Sequence, residues 1–141
     1  MRTLEFHFSD IEISIFKELG VGAIILFGSR ALGLARETSD YDFGVLLNGA
    51  GLEKLKTERG KLFDTLHDIF SSHIKRLINI DVVFLQTASG ELQVHAMKKG
   101  QVLYEEKSGV FADFIERVML EYADFAPLRY IFHQGILSRI S

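Results

Sequence analysis

The sequence predicts a small α/β domain: one mixed β-sheet flanked by helices and finished by a C-terminal helical pair. Three observations carry that expectation. Residues 23–27 (AIILF) and 78–85 (INIDVVFL) are short apolar runs rich in branched side chains, the make-up of buried strands. Around them lie stretches whose apolar residues recur at helical spacing. The order helix, strand, strand, helix, strand, helix then builds one sheet with helices to cover it. At 141 residues the chain fits a single domain over 1–141, with a core over about 10–105 and C-terminal helices over about 108–141.

The first helix is expected over Asp10–Leu19. Ser9 and Glu12 have capping-box spacing, Ile11, Ile15 and Leu19 share a face, and Gly20 supplies a stop. Residues 23–27 form the first strand, apolar on both faces, and Gly28 ends it. The second strand is Tyr41–Leu47, closed by the turn chemistry of Asn48, Gly49, Ala50 and Gly51. A long amphipathic helix over 52–76 follows, carried by Leu55, Leu62, Leu66, Ile69 and Phe70, with a break expected near Gly60. Its Lys54, Lys56, Arg59 and Lys61 alternate with Glu53 and Glu58, the mark of a solvated face. Residues 78–85 are the third strand. Gly90–Lys99 is a shorter helix with Leu92, Ala96 and Met97 inward, and Gln101–Glu105 a fourth, edge strand. From Ser108 the chain is helical, with Phe111, Ile115, Val118, Tyr122 and Phe125 on one side and a second helix begun by Pro127. Beyond Pro127, Tyr130, Ile131, Phe132, Ile136, Leu137 and Ile140 exceed what a small sheet covers, so this segment is expected to pack on a partner or on a second copy, as in a homodimer.

Composition narrows the function. A formal charge of −3 gives no electrostatic footprint for nucleic acid. With no cysteine, thiolate metal sites, disulfides and cysteine nucleophiles are excluded. The N-terminus lacks a signal-peptide core and no apolar run approaches a membrane span, so a cytoplasmic protein is expected. The five histidines are scattered without ligand spacing, and none is assigned to a metal.

The chemistry concentrates between residues 23 and 47. Gly28 and Ser29 are followed by ten residues and then Asp40-Tyr41-Asp42, a GS-x10-DxD pattern in which Gly-Ser ends one strand and the aspartates open the next. Side chains alternate along a strand, so Asp40 and Asp42 share a side and Tyr41 points away. Two carboxylates held 4 Å apart repel by about 4 kcal/mol at an effective dielectric of 20, a conflict that a divalent cation resolves. Magnesium suits them, because it takes a few carboxylates and completes its shell with waters and substrate phosphates. The Gly28-Ser29 turn is the complementary half: glycine admits a phosphate close to the backbone, and amides at a helix start attract negative charge. Arg30 stands either against a triphosphate or against Glu37. Asp81, a charge inside an apolar strand, is costly unless paired or metal-bound. If the third strand lies beside the second, Asp81 reaches the pair, bridges to a second ion and accepts the proton of an attacking hydroxyl.

These residues carry a resemblance. Gly28-Ser29-Arg30-Ala31, Ser39-Asp40-Tyr41-Asp42 and Asp81 resemble the minimal nucleotidyltransferase family of the DNA-polymerase-beta-like nucleotidyltransferase superfamily, and residues 121–129 resemble its C-terminal helix more weakly. The resemblance implies a polymerase-beta-like fold, two magnesium ions, ATP as cosubstrate, and an antitoxin that transfers AMP to a tyrosine hydroxyl of a HEPN-domain ribonuclease toxin. Leu32 departs from the family, which often has arginine there, and leaves one phosphate or partner contact in question. Two other readings remain open at this stage: nucleotidyl transfer to a small-molecule hydroxyl, and an antitoxin that neutralises its partner by binding alone.

Overall fold

The computed structural model describes residues 6–27, 41–74 and 79–122. Helix α1, Asp10–Leu19, starts where expected because both halves of the capping box form: the Glu12 amide donates to Ser9 Oγ at 3.1 Å, and the Ser9 amide to Glu12 Oε1 at 2.9 Å. It ends at Gly20, whose φ of 81° is a left-handed cap that side-chain-bearing residues rarely adopt. A Cβ there would also collide with the backbone of Gly51, so two glycines let the end of α1 touch the start of the next helix.

Strand β1 is Val21–Phe27, two residues longer than expected, and every residue is buried. Strand β2, Tyr41–Leu47, pairs with it antiparallel. The end of β2 is clamped from the side by Gln86, which accepts from the Leu47 amide at 3.0 Å and donates to the Leu47 carbonyl at 2.6 Å. Residues 48–51, expected as a turn, instead begin helix α2, Gly49–Ser72, because Asn48 Oδ1 caps the Gly51 amide at 3.0 Å. The break in α2 falls at Glu58 (φ −131°, ψ 35°), two residues before Gly60. The Lys56–Glu53 pair at 2.9 Å lies on an exposed face, as the charge pattern anticipated.

Strand β3 is Ile80–Phe84, shorter than expected at its end because Leu85–Thr87 turns into a 3-10 helix. Helix α3 (Gly90–Lys99), strand β4 (Gln101–Glu105) and helix α4 (Val110–Glu121) follow. The sheet order is β3-β2-β1-β4, with β2 and β3 parallel and the other neighbours antiparallel. Pro127, Phe125 and the apolar residues of 130–140 lie outside the described residues.

Two cores result, one on each face of the sheet. Phe16 of α1 and Leu55, Leu62, Leu66 and Phe70 of α2 pack on Ile24, Leu26, Tyr41, Phe43 and Val45. On the other face, Val94, Ala96 and Met97 of α3 and Phe111, Phe114 and Val118 of α4 pack on Ala23, Ile25, Phe27 and Leu46. Leu92 is half-buried, while Gln93, a polar residue absent from the expected inner face, is buried and donates to the Leu85 carbonyl at 2.7 Å. No helix among the described residues is long and apolar enough to cross a membrane.

Candidate nucleotidyl-transfer site

Strand β2 sets the orientation of its one aspartate, Asp42, by alternation. Tyr41, Phe43 and Val45 belong to the core beneath α2, so Asp42 stands on the opposite face, the one that α3 covers. Tyr41 is held firmly: its ring stacks on Phe43 with centroids 6.0 Å apart, Phe6 meets it edge-on at 6.3 Å, and its amide donates to the Asn79 carbonyl at 3.0 Å. That last bond aligns β3 with β2. In the resulting parallel register Asp81 is the direct neighbour of Asp42. Ile80, Val82 and Phe84 pack toward α2, and Val83 toward α3, so Asp81 shares the face of Asp42.

Two carboxylates on adjacent strands are thus brought side by side at the same end of the sheet, about 4.8 Å apart at the backbone. Like charges directly opposite one another are unfavourable unless something cationic joins them. Their environments differ. Asp42 is half-buried on an inner strand, while Asp81 is exposed on the edge strand. The expectation that Asp81 is an interior charge is therefore corrected: the outer edge of β3 carries no strand among the described residues, so water reaches this carboxylate although its neighbours along the strand are apolar.

Two hard oxygen donors in register suit magnesium. Among the described residues no group of three His, Asp or Glu side chains is gathered closely enough to hold a metal. The further donor expected, Asp40, lies outside the described residues, as do Gly28, Ser29 and Arg30 of the expected phosphate grip.

One neighbour carried no assignment from the sequence. Phe27, the last residue of β1 and the register partner of Asp42, receives the edge of the His95 ring from α3 at 5.8 Å. Burial, then Lys99 and Lys98, hold the His95 pKa below its ordinary value, which favours a neutral imidazole on the face of the carboxylate pair. No local pattern in the sequence marks it, because the contact joins α3 to β1. The other histidines of note serve packing. His73 Nε2 lies 3.0 Å from both Glu12 oxygens, and His67 stacks on Phe63.

Two clefts flank the sheet. One, about 510 Å³, runs beside Val82, Val83 and Phe84 of β3, between α2 and the start of α3. The other, about 450 Å³, opens at the far end of β2, around Leu46, Asn48 and Arg117.

A mixed four-stranded sheet between helices, with two acids in register on its parallel strands, is found here in a nucleotidyltransferase domain. Residues 9–109 match the family described as polymerase beta, nucleotidyltransferase, and the chain belongs to that family. It is 32% identical over 109 residues to the protein adenylyltransferase MntA of Aphanizomenon flos-aquae (strain 2012/KM1/D3), a match covering 74% of this chain and 71% of that protein. Its fold is similar to a crystal structure of a toxin–antitoxin with AMP-PNP (TM-score 0.57, 20% identity, 89% of this chain and 94% of that one). It is likewise similar to a mutant of the toxin–antitoxin MntA–HpeT (TM-score 0.55, 18% identity, the same coverage).

Proposed function

We propose that this protein is a magnesium-dependent protein adenylyltransferase, which moves AMP from ATP to a tyrosine hydroxyl of a HEPN-domain ribonuclease toxin and so acts as its antitoxin. The observation that carries the reading is the register of Asp42 against Asp81 on one face of the sheet. It is supported by the 32% identity to a protein adenylyltransferase across most of both chains.

In the proposed reaction the acceptor oxygen forms a bond to the α-phosphorus of ATP. The bond from that phosphorus to the oxygen bridging to the β-phosphate breaks, pyrophosphate leaves, and the hydroxyl proton passes to the Asp81 carboxylate. The exposure of Asp81 fits that role, since an acceptor arriving from outside meets it first. Asp42, seated against the buried end of β1, holds its carboxylate in a fixed place for the cation, together with Asp81 and Asp40. When bound, magnesium neutralises triphosphate charge and acidifies the acceptor hydroxyl. Gly28, Ser29 and Arg30 are assigned to the phosphates. The rest of the rate enhancement comes from positioning on rigid strands.

The test is intact-mass analysis of the protein encoded beside this one after incubation with ATP and magnesium. A gain of one or more adenylyl units on a tyrosine is expected, and Asp42→Asn should slow it by roughly 10³-fold, as removal of a charge-stabilising group does. Full toxin neutralisation by Asp42→Asn without any mass gain would replace catalysis with binding alone.

A further inference from the structure

Among the described residues, strand β3 is where the acidic pair meets a sheet edge with no strand beside it. The Tyr41–Asn79 bond shows which backbone groups face inward: Asn79, then Asp81 and Val83 by alternation. The amides and carbonyls of Ile80 and Val82 therefore point outward, as does the Phe84 amide, with no strand against them among the described residues; the Phe84 carbonyl already accepts from Thr87 Oγ1 at 3.2 Å. Beside them lies the 510 Å³ cleft, floored by Val82, Val83 and Phe84. Arg59 and Phe63 of α2 wall one side, and Ala88 and Leu92 the other. It is a slot between α2 on one side and the start of α3 on the other.

The slot is chemically lopsided. Just beyond the lining at one end, Asp81 precedes Val82 on β3 and by alternation lies on the α3 face. At the other end the exposed Arg59 guanidinium lies 5.5 Å over the Phe84 ring on the α2 face, and it is the one charge among the lining residues described. Asp81 and Phe84 are three residues apart, about 10 Å, and three residues along a strand reverse the face. An added strand therefore offers a hydroxyl side chain to Asp81 and, three residues away, an acidic one to Arg59.

We propose that the acceptor protein docks by adding an extended segment to the outer edge of β3, with its target tyrosine beside Asp81 and an acidic residue three positions away beside Arg59. This rests on the adenylyltransferase reading and adds to it the way the acceptor is recognised. Main-chain bonds give the affinity, and the cleft and Arg59 give the sequence preference. The segment lies across the layers at the one edge through which Asp81 is reached.

The probes are labelled seven-residue peptides of alternating valine and threonine with one tyrosine and, three positions before or after it, one glutamate. Anisotropy with the full chain measures binding, and intact mass with ATP and magnesium measures transfer. One of the two orders is expected to bind, with lysine in place of glutamate weakening it about fivefold and Arg59→Glu reversing that preference. Val82→Pro removes an outward amide and should weaken binding about tenfold, an exchange that edge strands tolerate. Because Arg59 is exposed, Arg59→Glu serves even if Val82→Pro does not fold. Binding by neither peptide, or binding indifferent to both variants, overturns the docking proposal. So does a dimer that Val82→Pro dissolves, which would give the edge to a second copy. Specific binding without mass gain keeps the edge and removes the activity, whereas mass gain indifferent to both variants does the reverse.

Discussion

Strands β1 and β3 both carry apolar runs, yet they do opposite work. β1 is paired on both edges and sealed on both faces, with Ile24, Ile25 and Leu26 fully buried. Among the described residues β3 is paired on one edge only, and of its five residues only Phe84 is buried. The contrast assigns stability to one strand and access to the other. A reactive carboxylate needs a rigid support and an open approach, and the sheet supplies each from a different strand, joined through β2.

The largest test of that contrast is a pair of truncations. Leu26→Ala, in the fully buried strand, should cost about 3 kcal/mol, whereas Val82→Ala on the half-buried edge should cost about 1 kcal/mol or less, both read from urea midpoints. Equal losses would erase the distinction between frame and edge.

A smaller effect tests how β2 joins them. Gly44 lies on the Asp42 face, where an added Cβ would come 2.7 Å from Leu85 Cδ1. Leu85 is wholly buried and has no room to retreat. Gly44→Ala should therefore destabilise by about 1–2 kcal/mol. An unchanged midpoint would mean that the layer under the site is looser than the packing implies.

The smallest effect concerns the frame's outer clasp. Burial pushes the Glu12 pKa up, but the Ser9 amide and His73 outweigh it, and the net result lies below the ordinary 4.5. A depressed carboxyl contributes stability that is full above the unfolded value and is lost as pH falls through the folded one. Glutamine keeps the capping acceptor but not the charge. Glu12→Gln should thus cost about 0.5–1 kcal/mol at pH 7, with the difference from the parent shrinking below about pH 4. A pH-independent difference would assign the loss to a disturbed seat of His73 against Phe6 and Phe8 rather than to charge.

Much of the fold was legible along the chain. The bounds of α1, β2, α3 and β4 came out as the local signals said, because a capping box, a glycine stop and a two-residue alternation act within a few residues. Misplacements had local causes that propensity does not resolve. Asn48 had turn chemistry but capped a helix, and the α2 break fell at Glu58 rather than at the glycine. Phe114 lies buried on α4 beside the expected stripe, because the helix faces a sheet and another helix at once.

For the site, residue types and spacing singled out Asp42 and Asp81, and the structure sets them side by side in register. Types and spacing were not enough to say that one is half-buried and the other exposed. An apolar run reads the same whether it lies at the centre of a sheet or along its rim, since solvent access depends on which distant segment pairs with it. The Tyr41–Asn79 bond, the meeting of His95 with Phe27 and the pairing of β3 with β2 all join residues far apart in the chain. Contacts of that kind exist only once the strands have found their order, and it is that order which sets two aspartates side by side on one face.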